Sequence, residues 1–211
     1  MGNTGNPTEY KQFLSQRIIA AANEAFTSRG IRAVKMDDLA KSLSISKRTL
    51  YEIFDDKEQL LLACIQESNK AFRKEIEAFI VKTSPTPIAL ILEFYRMQML
   101  RLSNVTPDFF TDIDRYPKVV EWLKQNKKQN HGEIKRFFDQ GITEGYFVNN
   151  IDFALATLVG DAIREYVMNN QLFRKYSMKK IFHDLIFTFI RGFCTQKGIK
   201  ELDSNIAKIK V

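Results

Sequence analysis

Residues 45–54 read ISKRTLYEIF, and the fold turns on how this stretch is built. Ser46 stands just ahead of Lys47-Arg48. Its hydroxyl can cap a helix by accepting from backbone N–H groups two or three residues on. The spacing predicts a helix from Lys47 to about Phe54. Leu50 and Phe54, four apart, share one face. Lys47, Arg48, Thr49 and Glu52 fall on the other, with Tyr51 at its edge. Helices shorter than ~12–15 residues are marginal alone in water, so this one must lean on its neighbours.

The neighbours are legible on both sides. Upstream, a second short helix is expected over 36–43, with Met36, Leu39, Ala40 and Leu43 on one face. Asp37 and Asp38 occupy its first turn, where the helix dipole favours anions. Ser44-Ile45-Ser46 is the tight connector. Before it, Tyr10, Leu14, Ile18, Ala22, Ala25 and Phe26 recur every three to four residues, the stripe of an amphipathic helix over about 8–29. Gly30 suits the left-handed stop after it. Downstream, Asp55 with Glu58, or Asp56 with Gln59, has capping-box spacing. The helix so opened runs through Leu60, Leu61, Ile65 and Phe72 to about Val81.

TSPTP at 83–87 is the clearest boundary in the chain, because proline starts helices but cannot continue them. Helices are then expected over 87–103, 106–114, 117–144, 152–173 and 178–196. Gly145 stops the third of these. No stretch shows convincing strand alternation, and with 9 Gly and 5 Pro in 211 residues the breakers are few. The expectation is an all-α protein of about nine helices. It divides into residues 1–56 and a larger helical domain 57–211, entered by a connecting helix over about 57–81.

Composition excludes several classes. No apolar run reaches the ~18 residues of a membrane span, and the first residues, MGNTGNPTEY, lack a signal-peptide pattern. Cys64 and Cys194 lie far apart in apolar runs and read as buried reduced thiols. A cytoplasmic protein follows. His131 and His183 have no Cys partner at metal-ligand spacing, and no phosphate loop or nucleophile elbow occurs. No catalytic residue, metal or cofactor is therefore expected, and the histidines read as surface or interface residues. The formal net charge is +7, yet residues 1–65 carry nine Lys/Arg against eight Asp/Glu. A polyanionic partner must be argued from local placement, not from the total.

Placement supplies the argument. Two short helices joined by three residues, with Leu39, Ala40, Leu43, Ile45, Leu50 and Phe54 inward, have the pattern of a helix-turn-helix. Such a unit presents its second helix to the DNA major groove. Lys and Arg there reach phosphates or guanine edges, and Thr reaches a thymine methyl or a phosphate. Three helix starts, near Lys35, Lys47 and Lys57, each pair free N–H groups with a lysine. Plainer readings stand beside these: Tyr51 as packing, Lys57 as a helix-surface lysine, Glu52 as an intrahelical partner.

The segment DDLAKSLSISKRTLYEIFDDKEQLL (residues 37–61) resembles the DNA-binding segment of the TetR family of transcriptional regulators. The matching residues are Asp38-Leu39-Ala40, Ile45-Ser46, Thr49-Leu50-Tyr51, Phe54, Lys57-Glu58 and Leu60, and the likeness spans residues 13–62. Farther on it is weaker, in GITEGYF followed by IDFALATLVG. The resemblance implies a three-helix DNA-binding unit joined to a ligand-binding and dimerisation domain. It implies groove-facing roles for Lys47, Arg48 and Thr49, opened by Ser46, and phosphate contacts for Tyr51 and Lys57. Lys35 stands near a phosphate-contacting helix start where the family usually has Thr or Ser. Ser44 stands where Gly is common, so a positive φ there costs of order ~1 kcal/mol.

The larger half carries the remaining expectations. The helices over 152–173 and 178–196 are apolar on more than one side and so need more than one packing partner. Leu158, Ile163, Tyr166, Phe182, Phe189 and Phe193 are the candidate homodimer contacts. Phe94, Tyr95, Met99, Phe109, Phe110, Trp122, Phe137 and Phe138 are candidates to line a pocket, although aromatics at helical spacing are more often plain core. The functional expectation is a ligand-responsive regulator, a repressor in the family's usual case, bound as a homodimer to palindromic double-stranded DNA. A small, largely apolar effector would release it, with the helix from Lys57 as the lever. An activator or ligand-independent DNA-binding protein of the same fold, and more distantly a helical interaction module, are the alternatives.

Overall fold

The computed structural model describes residues 7–206, apart from the side chains of residues 7, 8, 128, 130 and 131. His131, expected at a surface or interface, therefore lies outside the described side chains. The helices are α1 (Pro7–Arg29), α2 (Met36–Ser42), α3 (Lys47–Tyr51), α4 (Lys57–Thr83), α5 (Pro87–Leu102), α6 (Pro107–Ile113), α7 (Pro117–Thr143), α8 (Phe153–Asn169), α9 (Met178–Phe193) and α10 (Gln196–Ile206), with a 3-10 turn at Leu172–Arg174. No strand occurs among the described residues, only an isolated antiparallel bridge between Phe147 and Cys194. No described helix is long and apolar enough to cross a membrane.

The chain forms two compact units. Among the described residues, the first holds 7–72 with 105–125, and the second 73–104 with 126–206. The expected boundary at 56/57 coincides with the start of α4. Compactness divides the chain differently because Leu60, Leu61 and Cys64 on α4 are buried in the same core as α1, α2 and α3. α6 and the first turns of α7 join that core through Val119 and the partly buried Phe109, Ile113 and Tyr116. Thr106 N–H donates to the Thr27 carbonyl at 2.8 Å, tying the entry of α6 to the end of α1. α4 and α7 each begin in the first unit and end in the second.

Caps explain most of the helix starts. Thr86 Oγ1 accepts from Ala89 N–H, Asp152 from Ala154 and Leu155, and Ser177 from Lys180. Of the two capping-box pairs, Asp56 with Gln59 makes the cap bond, while the return bond from Gln59 goes one residue upstream. Asp56 Oδ1 accepts from Gln59 N–H at 2.7 Å, and the Gln59 side chain accepts from Asp55 N–H at 2.6 Å.

Three helix ends differ from expectation. α3 is assigned only to Tyr51, although a turn with Phe54 N–H on the Leu50 carbonyl carries Phe54 into the core. α8 ends at Asn169 because Gln171 takes φ 49°, and the 3-10 turn beyond it buries Phe173. α9 ends at Phe193, since the chain leaves it extended to meet residues 146–148: Val148 N–H donates to the Phe193 carbonyl and Thr195 N–H to the Tyr146 carbonyl, both at 2.9 Å. α10 then follows as a tenth helix, where about nine were expected.

The core of the second unit is built around Phe147. Its ring contacts those of Phe137 and Phe138, and Gly141 on α7 gives it room: a Cβ at that position would overlap the Phe147 ring. Gly198 on α10 lets that helix close on Tyr146, whose carbonyl oxygen would lie 2.5 Å from a Cβ there. The two cysteines lie in separate units, both buried. Burial pushes the Cys64 thiol up to about 12 and the Cys194 thiol up to about 11.

Gly141→Ala gains about 1 kcal/mol of helix propensity but displaces the Phe147 ring, an overpacking cost of about 1–3 kcal/mol. Net destabilisation in urea unfolding is the expected outcome; unchanged stability would contradict this packing.

Candidate nucleic-acid interface

α2 ends in a paired turn. Ile45 N–H donates to the Ala40 carbonyl and Ser44 N–H to the Lys41 carbonyl, both at 3.0 Å. This is the Schellman arrangement, and its left-handed position is Ser44, with φ 56°. The turn delivers the chain to Ser46, extended at φ −71°, ψ 151°, whose hydroxyl accepts from Thr49 N–H at 3.0 Å. Ser46 and Thr49 also share a hydroxyl–hydroxyl hydrogen bond of 2.8 Å. Ser46 is thus the cap expected of it, and the Thr49 hydroxyl is engaged at that cap.

Leu50 is fully buried and anchors α3 from below, while Lys47 and Arg48 are exposed. Each cation is held by a carboxylate of the same unit. Lys47 Nζ lies 2.5 Å from Asp37 Oδ2 on α2, and Arg48 Nε lies 2.8 Å from Glu52 Oε1 one turn along. Asp37, mainly through that hydrogen bond, raises the Lys47 pKa, and Glu52 does the same for Arg48. Glu52 is therefore the intrahelical partner of Arg48. Ion pairs this exposed are weak, so an incoming phosphate can replace the carboxylates. Tyr51 is 44 % exposed at the edge of this face.

The other two lysines sit at the flanking helix starts. Lys35 is exposed at the N-cap of α2 and supplies no side-chain cap. Lys57 is half-buried at the start of α4, with Nζ 3.4 Å from the Arg32 carbonyl oxygen in the α1–α2 connector. Burial lowers the Lys57 pKa, and the nearby Asp112 opposes that shift. The three helix starts are thus linked: α3 to α2 through Lys47–Asp37, and α4 to the connector before α2 through Lys57–Arg32.

Sequence reasoning missed the contribution of the segment 105–125 to this unit. Lys118 N–H at the start of α7 donates to Glu58 Oε1 at 2.8 Å, and Lys118 Nζ lies 3.8 Å from Asp56. Asp112 on α6 accepts from Arg32 N–H at 2.8 Å. Partners 60 and 80 residues apart leave no local trace in a single sequence.

The pocket candidates are not brought together within one unit. Phe109, Phe110 and Trp122 lie in the first, with Phe109 against its core and its ring edge-on to Phe110 at 5.8 Å. In the second, Tyr95 and Met99 are buried core residues, and Phe137 and Phe138 pack against that core. Tyr95 stacks on Phe182 at 6.0 Å, and its hydroxyl meets His183 Nδ1 at 2.7 Å; Phe94 lies 6.3 Å from Phe182. Burial raises the Tyr95 pKa.

The interface candidates divide similarly. Leu158 and Tyr166 on α8 are 61 % and 60 % exposed, and Ile163 is half-buried. On α9, Phe182 packs on Tyr95, and Phe193 meets Phe138, Phe153 and Phe189. Phe182 and Phe193 are thus engaged in packing within the unit.

A buried scaffold of α1 and α4 carrying two short helices across a tight turn, the second helix outermost and cationic, defines a helix-turn-helix DNA-binding domain. Residues 18–64 match the family model of bacterial regulatory proteins, tetR family. The match runs from the middle of α1 to the first turns of α4, the segment that holds the helix-turn-helix. It is 28 % identical over 101 residues, 47 % of this chain and 50 % of the relative, to an uncharacterized HTH-type transcriptional regulator of Mycobacterium tuberculosis. The chain thus spans about half the length of the curated relatives it matches. The fold resembles the ketosteroid transcriptional regulator KstR2 of Mycobacterium tuberculosis (TM-score 0.54, 18 % identity, covering 86 % of this chain and 95 % of that one). It also resembles the fatty acid degradation regulator FadR of Bacillus halodurans (TM-score 0.60, 16 % identity, 89 % and 97 % covered) and RolR in complex with the ligand resorcinol (TM-score 0.57, 17 % identity, 93 % and 94 % covered).

Ser44→Gly removes a Cβ from a left-handed residue, a relief of about 1–2 kcal/mol partly offset by the greater freedom of glycine in the unfolded chain. A net gain of up to about 1 kcal/mol in urea unfolding is expected. A loss would mean that the Ser44 side chain itself supports the turn.

Proposed function

We propose that the chain is a transcription regulator that binds a palindromic operator as a homodimer, acts as a repressor, and is released by a small effector. One observation carries the DNA part: Lys47 and Arg48 stand outward on a helix whose opposite side, through Leu50, is sealed in the core. Lys47, Arg48 and Thr49 then face the groove, with Ser46 as the cap that orients them. Tyr51, Lys35 and Lys57 hold phosphates on either side.

The dimer is supported by α8. Leu155, Leu158, Val159 and Tyr166 form one exposed apolar stripe at helical spacing, with exposures of 59 %, 61 %, 44 % and 60 %. A two-fold contact across such a stripe is self-complementary and presents two heads. α8 is therefore the principal interface helix, with Phe189 of α9 at its margin. The effector is small and largely apolar, received by the second unit, where Phe94, Tyr95, Phe137 and Phe138 supply aromatic surface and the Tyr95–His183 pair supplies a polar anchor. The resorcinol complex of RolR is consistent with such a ligand. Because α4 and α7 pass through both units, an effector that prefers one arrangement of the second unit acts on the heads along them.

Selection of bound duplexes from a random pool tests the reading. Two inverted half-sites at a fixed spacing of about one helical turn or a multiple are expected. A single unpaired site would remove the dimer, and no enrichment would remove DNA binding. Lys57→Ala is expected to weaken binding to all sequences about equally and to reduce the salt slope by about one. Loss confined to one base position would make Lys57 a base reader instead.

A further inference from the structure

α6 runs beside the chain where it leaves α1. Thr106 N–H bonds the Thr27 carbonyl, a Cβ on Gly30 would lie 2.9 Å from Asp108 Cβ, and Asp112 Oδ2 accepts from Arg32 N–H at 2.8 Å. Gly30 itself takes φ 84°. Asp112 is 6 % exposed, the one buried charged residue among those described. A carboxylate removed from water is costly unless it is hydrogen-bonded or paired, so its location calls for a role. Its partner is a single peptide, and the same residue makes the next link: the Arg32 carbonyl receives Lys57 Nζ at 3.4 Å. Arg32 is thus gripped from both ends, by a carboxylate on α6 and an ammonium on α4.

Resting on the DNA-binding reading, the geometry points to Asp112 as a positioning residue for the operator contact: from α6 it fixes the Arg32 peptide, and through it the start of α2 and the Lys57 ammonium. Asp112 touches no nucleic acid in this scheme. It sets the connector from which α2 begins four residues later, and α2 in turn carries Asp37, the partner of Lys47. Its negative charge also opposes the burial that works against the charged form of half-buried Lys57, so a cation is ready for a phosphate. Removing the acceptor leaves the Arg32 N–H without its partner. Replacing Asp by Asn keeps an acceptor oxygen and loses only the charge.

The test uses the full chain and a labelled duplex recovered by the random-pool selection. Asp112→Leu should lower DNA affinity tenfold or more, while Asp112→Asn stays within about threefold of the parent. Hydrogen exchange at the Arg32 amide should be slow in the parent and in Asp112→Asn, and fast in Asp112→Leu. In the parent, the Arg32 amide should also show a scalar coupling across the hydrogen bond to the Asp112 side-chain carboxyl carbon, a readout that stands even where Asp112→Leu fails to fold. Asp112→Leu binding within twofold of the parent, or an Arg32 amide without that coupling, would overturn the assignment. A parent that binds no duplex would instead sink the regulator reading, while the amide measurements would still decide the Asp112 contact.

Discussion

The first unit depends on burying one face of two helices that cannot stand alone. α2 has seven residues and α3 five, well below the length at which helices persist in water. What holds them is a core in which Leu39 and Ala40 from α2, Leu50 from α3 and Phe54 beyond it meet Ile18, Ala22 and Phe26 of α1 and Leu60 and Leu61 of α4. Because the inward side is filled, the outward side of α3 is left for polar groups. The surface offered to a partner is the complement of the core, residue by residue.

That surface is not left as bare charge. Lys47 and Arg48 are engaged by Asp37 and Glu52, and Lys57 by a carbonyl. These contacts hold long side chains in place at little net gain, and in the proposed complex phosphate oxygens can replace them without disturbing the core. The near balance of charge in residues 1–65 follows from the same arrangement.

Local signals were the legible ones. The stripe from Leu14 to Phe26, the Ser46 cap, the Asp56–Gln59 box and the prolines at 87, 107 and 117 all act within a few residues, and each helix start they mark lies within a residue or two of its expected place. The positive φ at Ser44 was readable as a condition, from a serine where the resembling family has glycine. What escaped was set at long range. α10 lies beyond the last expected helix; Gly198, a residue disfavoured in a lone helix, is the point at which it closes on the Tyr146 carbonyl. The aromatics proposed for one pocket are divided between two cores, since periodicity says that a side chain turns inward but not toward which partner.

The place of α6 shows what that long-range order does. In sequence it lies beyond the proline boundary at 83–87, with the larger half; in space it belongs to the DNA-binding unit. The chain leaves that unit within α4, builds α5 in the other, and returns at Val105 before leaving again through α7. A head built only from the first three helices would be one domain on a single tether. Because residues 105–125 return to pack on it, the core that positions α3 includes Val119, Phe109 and Ile113, and the connector before α2 hangs on Asp112. Two covalent connections, one entering ahead of α6 and one leaving through α7, thus join the one through α4.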